Sequence, residues 1–349
     1  MKNIIFTGGG SGGHLYPALA IIHRLKENQQ MELHYVGSHN GIESRVIRSE
    51  GIEYKAVSTG KLRRYLSLDN ILDLFKIGLG LFQSLFYMLK FSPRETVVFS
   101  TGGFVSVPVV IAAKLTGKKV FIHEQTSRVG LANKIASYFA DIIFISFEAS
   151  KDFFPLEKVI FAGYPLRAGI LNSKIKDVLI GGVNLASLDK PLLFVTGGGN
   201  GSKLINDLIL SNLAKLSERY FIIHQVGKNH IEQFKSLQNE NYIPVELLGD
   251  EIIDLYKKSA VVISRSGAGT VSELIALGIP SIFIPLKIAQ KNEQFHNACE
   301  AKEKLGSIII EEDQLPSVNI LETCSEIEKK KRVATDAIDA TQTILDHLV

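Results

Sequence analysis

The chain has 349 residues, 46% of them hydrophobic and 21% charged, with a formal net charge of +3. That balance excludes a disordered chain and a nucleic-acid binder resting on bulk positive charge, and it supplies core for about two ordinary domains. Two cysteines outside any CxxC spacing, Cys299 and Cys324, point to a reducing compartment rather than a disulfide framework. Residues 1–6 hold one lysine and a short apolar run that a glycine stretch cuts off, so no signal peptide is expected.

Strands are expected at 3–7, 33–36, 96–100, 119–123, 141–145 and 158–162. A second series is expected at 191–196, 220–226, 243–247, 260–264, 280–284 and 307–310. Helical stretches separate them. Runs such as "VVFS", "LLFVT" and "VVIS" lack polar alternation, which marks strands buried on both faces of parallel sheets. Alternating strands and helices make the chain α/β. Glycine-rich turns at 7–13, 100–106, 196–202 and 264–270 fall two in each half, predicting two doubly wound domains. The join is placed near 161–169: residues 1–162, completed by a C-terminal helix at 333–349, form one domain, and 163–332 the other. Ligands of doubly wound sheets bind beyond the strand C-termini, so facing glycine turns would hold a ligand between the domains.

The first turn, Gly8-Gly9-Gly10-Ser11-Gly12-Gly13, matches GxGxxG. It lacks the acid that a dinucleotide fold carries after its second strand, and the Gly-Lys-Ser/Thr of a Walker loop. What remains is a helix start whose N–H groups at Ser11, Gly12 and Gly13 suit an anion, with His14 beside it. An imidazole there can take a proton from a hydroxyl, or it can merely pack. Residues 68–91 form the most hydrophobic stretch. Leu68, Ile71, Leu72, Phe75, Leu79, Phe82, Leu85, Phe86 and Leu89 recur at helical spacing among Lys61, Arg63, Arg64, Lys76 and Lys90. The charge-free run 77–89 is too short to span a bilayer. It reads as a buried helix or as a face lying on a membrane.

In 263–280 a strand ends at Ser264, a loop follows, and a helix is expected near Thr270. Thr270 and Glu273 fit a capping box, which would make Glu273 a structural cap. Alternatively its carboxylate accepts from a ribose diol. Glu293 and Gln294, past another strand end, suit sugar hydroxyls or a solvated helix start.

Together these motifs resemble the MurG family of peptidoglycan N-acetylglucosaminyltransferases. "GGGSGGHLYPALA" resembles that family's "GGTGGHxxPxxA"; "STGGFVSVPVVIAAKLTGKKVFIHEQTSRVGLANK" resembles its second glycine motif and "HEQN…GLxNK"; "GYPLR" resembles "GNPVR"; and "SRSGAGTVSELIALGIPSIFIPL" resembles its nucleotide stretch. The likeness spans nearly the whole chain. It implies a GT-B fold and inverting transfer of GlcNAc from UDP-GlcNAc to the C4 hydroxyl of MurNAc in lipid I. It implies His14 as base, with Glu124 as an alternative base or as a group orienting His14. Ser11, Gly12, Gly13 and Asn133 would serve as substrate contacts, and Arg167 would reach the nucleotide sugar. Ala268, Gly269, Thr270 and Glu273 would hold the nucleotide, with Glu293 and Gln294 near GlcNAc and Gly199, Asn200, Gly249 and Ser266 completing the set. Thr126, Tyr164, Gly199 and Glu293 depart from the family's usual residues. No Asp-x-Asp motif occurs, which fits a site without metal or cofactor. Implied partners are UDP-GlcNAc, lipid I, the anionic cytoplasmic membrane surface and other cell-wall synthesis proteins, with no nucleic acid; the implied location is peripheral, on the cytoplasmic face. Rival readings are another GT-B glycolipid transferase, a UDP-GlcNAc 2-epimerase-like enzyme, and an inactive lipid-precursor-binding protein.

Overall fold

The computed structural model describes residues 2–27, 31–60, 68–167, 169–170, 178–334 and 338–348. It divides into two compact units, Met1–Ala168 with Ile338–Val349, and Gly169–Ala337.

The first unit is a seven-stranded parallel sheet. Its strands are β1 (Asn3–Thr7), β2 (Glu32–Ser38), β3 (Glu53–Val57), β4 (Thr96–Ser100), β5 (Lys119–Glu124), β6 (Ile142–Ile145) and β7 (Val159–Phe161), in the order β3-β2-β1-β4-β5-β6-β7. Helices α1 (Gly12–Lys26), α2 (Ile42–Ser49), α3 (Leu68–Met88), α4 (Ser106–Leu115) and α5 (Leu131–Ala136) connect them. The order reverses at β1 and β4, so a crevice opens beyond their C-terminal ends. Alternate strand residues supply two cores. Ile4, Phe6 and Phe99 pack with α1, whereas Ile5, Val98 and Ile122 pack with α4. Each large apolar side chain so buried stabilises by about 1.5–3 kcal/mol relative to exposure.

The second unit opens with a small hairpin, β8 (Leu179–Ile180) and β9 (Val183–Asn184). A six-stranded parallel sheet follows: β10 (Leu192–Thr196), β11 (Phe221–Gln225), β12 (Tyr242–Val245), β13 (Val261–Ser264), β14 (Ile282–Phe283) and β15 (Ile308–Ile309). Its order, β12-β11-β10-β13-β14-β15, repeats that of the first sheet. The helices are α6 (Lys203–Arg219), α7 (Ile231–Lys235), α8 (Glu251–Lys258), α9 (Ala268–Ala276), α10 (Glu293–Leu305) and α11 (Ile320–Glu328). The last helix, α12 (Ala340–Leu348), puts Ile344, Leu345 and Leu348 into the core beside α1.

Several expectations need correction. Strand β3 was not foreseen: it is an edge strand whose Glu53-Tyr54-Lys55 leave little apolar signal. The hairpin was likewise missed. The strand expected at 243–247 lies at Tyr242–Val245, with Pro244 tolerated because β12 is an edge. The C-terminal helix begins at Ala340 rather than 333.

Helix α3 turns its apolar stripe outward. Phe75, Leu79, Phe82, Phe86 and Leu89, spaced by three and four residues, are 53–75% exposed. The opposite face, with Leu81, Leu85, Tyr87 and Met88, packs on the sheet. A buried-core reading therefore holds for one face only, and Phe82 is not core. Among the described residues no helix is long and apolar enough to cross a membrane. Lys61, Arg63 and Arg64 lie outside the described residues, as do the side chains of Leu68, Ile71 and Leu72.

Candidate functional site

In the first unit the turns after β1, β4 and β5 meet. Thr101 N donates to Thr7 O at 2.9 Å, and Gly9 N to Gly102 O at 3.3 Å. Gly103, at φ +86°, lies so close that a Cβ there would collide with Gly9 O. Helix α1 starts at Gly12 with Ser11 as its uncapped N-cap. Among the described residues the N–H groups of Ser11, Gly12 and Gly13 meet no acceptor, as the first turn of a helix dictates.

Beneath this turn lies a residue the sequence did not reveal. Glu43, in the first turn of α2, is fully buried. Its Oε2 accepts from Gly10 N at 3.2 Å, and its Oε1 accepts from Ser38 N at 3.1 Å and Ser38 Oγ at 2.5 Å. The carboxylate missing from the end of β2 is thus supplied by a helix. It grips the back of the loop instead of a ribose. Its one signal in sequence is its spacing from the buried Ile47, four residues on, which sets it on the inner face of α2. Ser38 also lines a cavity of about 340 Å³ with His39, Asn40, Ser58, Thr59 and Lys76.

His14, half-buried in the first turn of α1, has Nδ1 2.8 Å from Thr101 O and 3.2 Å from Gln125 Oε1. A carbonyl only accepts, so Nδ1 carries the proton and Nε2 keeps its lone pair. Two residues on, Tyr16 lies 5.6 Å beneath the guanidinium of Arg167. Arg167 therefore stands beside the α1 turn and belongs to the first unit.

Glu124, at the end of β5, is buried. Its Oε1 accepts from Thr126 N at 3.0 Å and lies 2.8 Å from Thr126 Oγ1, while Oε2 accepts from Asn133 Nδ2 at 3.0 Å. Burial raises its pKa against the lowering effect of these donors. Asn133, also buried, turns its amide to Glu124 and to His123 O. It props the turn rather than facing open space. Thr126, which departs from the family motif, keeps its N–H as a donor on the carboxylate, and its hydroxyl lies between Glu124 Oε1 and Arg128 O, at 2.8 and 2.7 Å.

The second unit gathers its expected residues beyond β10, β12, β13 and β14. In the turn after β10, Gly199 and Asn200 are exposed, and Ser202 caps α6 by accepting from Ile205 N. Gln225 is buried. Its Nε2 donates to Gly198 O at 2.9 Å, and its Oε1 accepts from Leu248 N at 3.1 Å, next to Gly249. One amide thus ties the β10 turn to the β12 turn. Arg265 N reaches Thr196 O, joining the β13 turn to β10. The Arg265 guanidinium is spent beneath the loop on Ile284 O, Pro285 O and Glu312.

Helix α9 begins at Ala268, after Gly267, not near Thr270. Glu273 is therefore its sixth residue, and the expected capping box does not form. The carboxylate is buried on the inner side of the second turn. Val271 N closes the first helical bond onto Gly267 O, leaving the N–H groups of Ala268, Gly269 and Thr270 at the helix mouth. Ser266, just before it, is buried, and its hydroxyl has no partner among the described residues.

Past β14, Gln294 Oε1 accepts from Leu286 N at 3.0 Å, which leaves its NH2 as a donor. Glu293 opens α10. Lys291 and Asn292, immediately before, are both left-handed, at φ 53° and 55°. Non-glycine residues hold that conformation at a cost of about 1–3 kcal/mol each, and such strain concentrates at ligand clamps. The sequence gives no signal for it.

Residues 4–145 match the glycosyltransferase family 28 N-terminal domain, and residues 192–347 the family 28 C-terminal domain. The chain is 40% identical, over all of its length and 99% of the relative's, to UDP-N-acetylglucosamine–N-acetylmuramyl-(pentapeptide) pyrophosphoryl-undecaprenol N-acetylglucosamine transferase 2 of Bacillus cereus. It is 38% identical to the transferase of the same description from Clostridium botulinum, across 95% of this chain and 93% of that one. Among solved structures, Acinetobacter baumannii MurG superposes at TM-score 0.73 with 24% identity, covering 99% of each chain. The UDP-GlcNAc 2-epimerase of Methanocaldococcus jannaschii superposes at 0.63 with 14% identity, covering 100% and 99%. At those identities the structural likeness establishes the GT-B fold alone.

Proposed function

Because the chain belongs to glycosyltransferase family 28, among its UDP-GlcNAc-dependent N-acetylglucosaminyltransferases, we propose how its two units share the reaction. The enzyme transfers GlcNAc from UDP-GlcNAc to lipid I in the synthesis of lipid II. The first unit takes the acceptor and the second takes the donor. His14 Nε2 accepts the proton of the MurNAc C4 hydroxyl as that oxygen attacks the anomeric carbon of GlcNAc. The bond to the UDP oxygen breaks and the configuration inverts. The departing diphosphate is held by the N–H groups at the mouth of α9 and the β10 turn, dipoles already aimed before charge develops. Glu273 and the Ser266 hydroxyl serve the nucleotide, and the Gln294 NH2 serves the sugar.

The observation that carries the base assignment is His14 itself. Its Nδ1 is committed to two oxygen acceptors, so Nε2 is left as the acceptor at the head of α1. Glu124 has both oxygens engaged by Thr126 and Asn133, which suits a support. Incubation with UDP-GlcNAc and a lipid I analogue, followed by mass analysis, tests the reading. A disaccharide product is expected; ManNAc or UDP-ManNAc formed without acceptor would mark an epimerase.

The exposed stripe of α3 favours the lipid acceptor over a soluble sugar nucleotide as sole substrate. It supports peripheral attachment to the cytoplasmic membrane face through Phe75, Leu79, Phe82 and Phe86, with Lys76 and Lys90 alongside.

A further inference from the structure

We infer that Gln125 is a positioning residue for the transfer: it holds the His14 ring with Nε2 toward the acceptor and steadies the imidazolium that forms there. The inference rests on the reading of His14 as base. It follows from a chain of hydrogen bonds whose directions are all determined. Gln125 Nε2 lies 2.9 Å from His123 O, which can only accept, so the NH2 end faces His123. The Oε1 end must then face His14 Nδ1, at 3.2 Å. The same NH2 lies 3.2 Å from His123 Nδ1, which is therefore the bare nitrogen of that ring. His123 Nε2 carries its proton to Gly163 O at 3.1 Å, with Ser146 Oγ at 3.0 Å.

Two backbone carbonyls, Thr101 O and Gly163 O, thus terminate the chain, and no member can reverse without leaving a buried polar atom unpaired. Burial lowers the His123 pKa to about 4, so that ring stays neutral while the enzyme works. Gln125 itself is buried, which strengthens its dipole on His14. When Nε2 takes the acceptor proton, the positive charge spreads to Nδ1–H, where Thr101 O and Gln125 Oε1 receive it. The other charged or titratable groups around His14 are Glu124 and His123 from β5, Arg167 over Tyr16, and Glu43 under the loop.

The test measures kcat, KM for UDP-GlcNAc, the pH dependence of kcat/KM and thermal melting for wild type, Gln125→Leu, Gln125→Glu and His14→Ala. Gln125→Leu removes one oxygen dipole. Its kcat should fall about tenfold with KM unchanged, and its acid limb should move to lower pH, because the imidazolium is less favoured. Gln125→Glu places a carboxylate at the same point and should move the acid limb up by about one pH unit or more. If the leucine variant does not fold, the glutamate variant carries the test. A purely structural glutamine would lower melting and activity without shifting either limb. An inactive His14→Ala beside unmoved limbs in the folded Gln125 variants overturns the positioning role alone. A fully active His14→Ala overturns the base reading beneath it.

Discussion

In the first unit the turn after β1 rests on Glu43, a buried carboxylate that takes the N–H of Gly10, and it presents His14 at its front. In the second unit the turn after β10 rests on Gln225, a neutral amide that donates to Gly198 O, and ends in the Ser202 cap, with Lys203 rather than a histidine opening the helix. The two sheets share one strand order, and both turns sit at its reversal. Charge behind the loop separates them. On the proposed reading, the buried carboxylate of the first unit backs the turn that presents the base. On the same reading, a neutral backing leaves the N–H groups of the second unit to receive the donor's negative charge.

The largest expected effect breaks this division at its reactive end. His14→Ala should lower kcat by about 10²–10⁴-fold, the usual contribution of a general base, while UDP-GlcNAc affinity stays near wild type. Single-turnover kinetics beside titration calorimetry separates the two. Equal losses in both quantities would mean that the units do not divide the chemistry.

Acid stability sharpens the comparison next. Each unit buries a neutral histidine: burial lowers His123 to about 4 and His224, between Tyr242 and Asn206, to about 3. Both folded values lie below the unfolded value of about 6.5. The unfolded chain therefore binds more protons, and stability present above pH 6.5 is lost as pH falls toward 4 and 3. Each site contributes on the order of 3–5 kcal/mol over its window. The second unit should lose more, and His224→Gln should flatten its dependence in urea titrations between pH 7 and 4.

The two loop supports come third. Glu43→Ala strands Gly10 N–H and both Ser38 donors and should cost about 3 kcal/mol, whereas Gln225→Ala should cost about 1–2 kcal/mol. Denaturant midpoints rank them, and the reverse order would refute the account of charge-backed and neutral-backed turns. Glu273→Ala should weaken UDP binding by about 1–3 kcal/mol, and a melting curve measured beside the affinity separates that loss from any change in the fold.

The smallest effect on stability belongs to Phe82→Ser, within about 0.5 kcal/mol for an exposed position. Co-sedimentation with anionic vesicles should nevertheless fall about tenfold, and the remainder should be salt-sensitive through Lys76 and Lys90. Unchanged sedimentation would detach α3 from the membrane.

Composition, apolar runs and glycine spacing determined the two parallel sheets and the positions of their turns. Continuous apolar runs and strand-terminal glycines are local properties, and a linear reading captures them. His14 was legible because it abuts its loop in sequence. The tertiary structure alone decided the rest. Glu43 supports a loop 33 residues away, and Gln125 reaches a histidine 111 residues away, so neither leaves a mark beside its target. The start of α9 was misread because Thr270 and Glu273 satisfy the capping pattern, while the bend at Gly267 places the first turn earlier. Helical periodicity defined the stripe on α3 but not its exposure. A period says which residues share a face; only the packing of the opposite face against the sheet left that stripe turned to solvent.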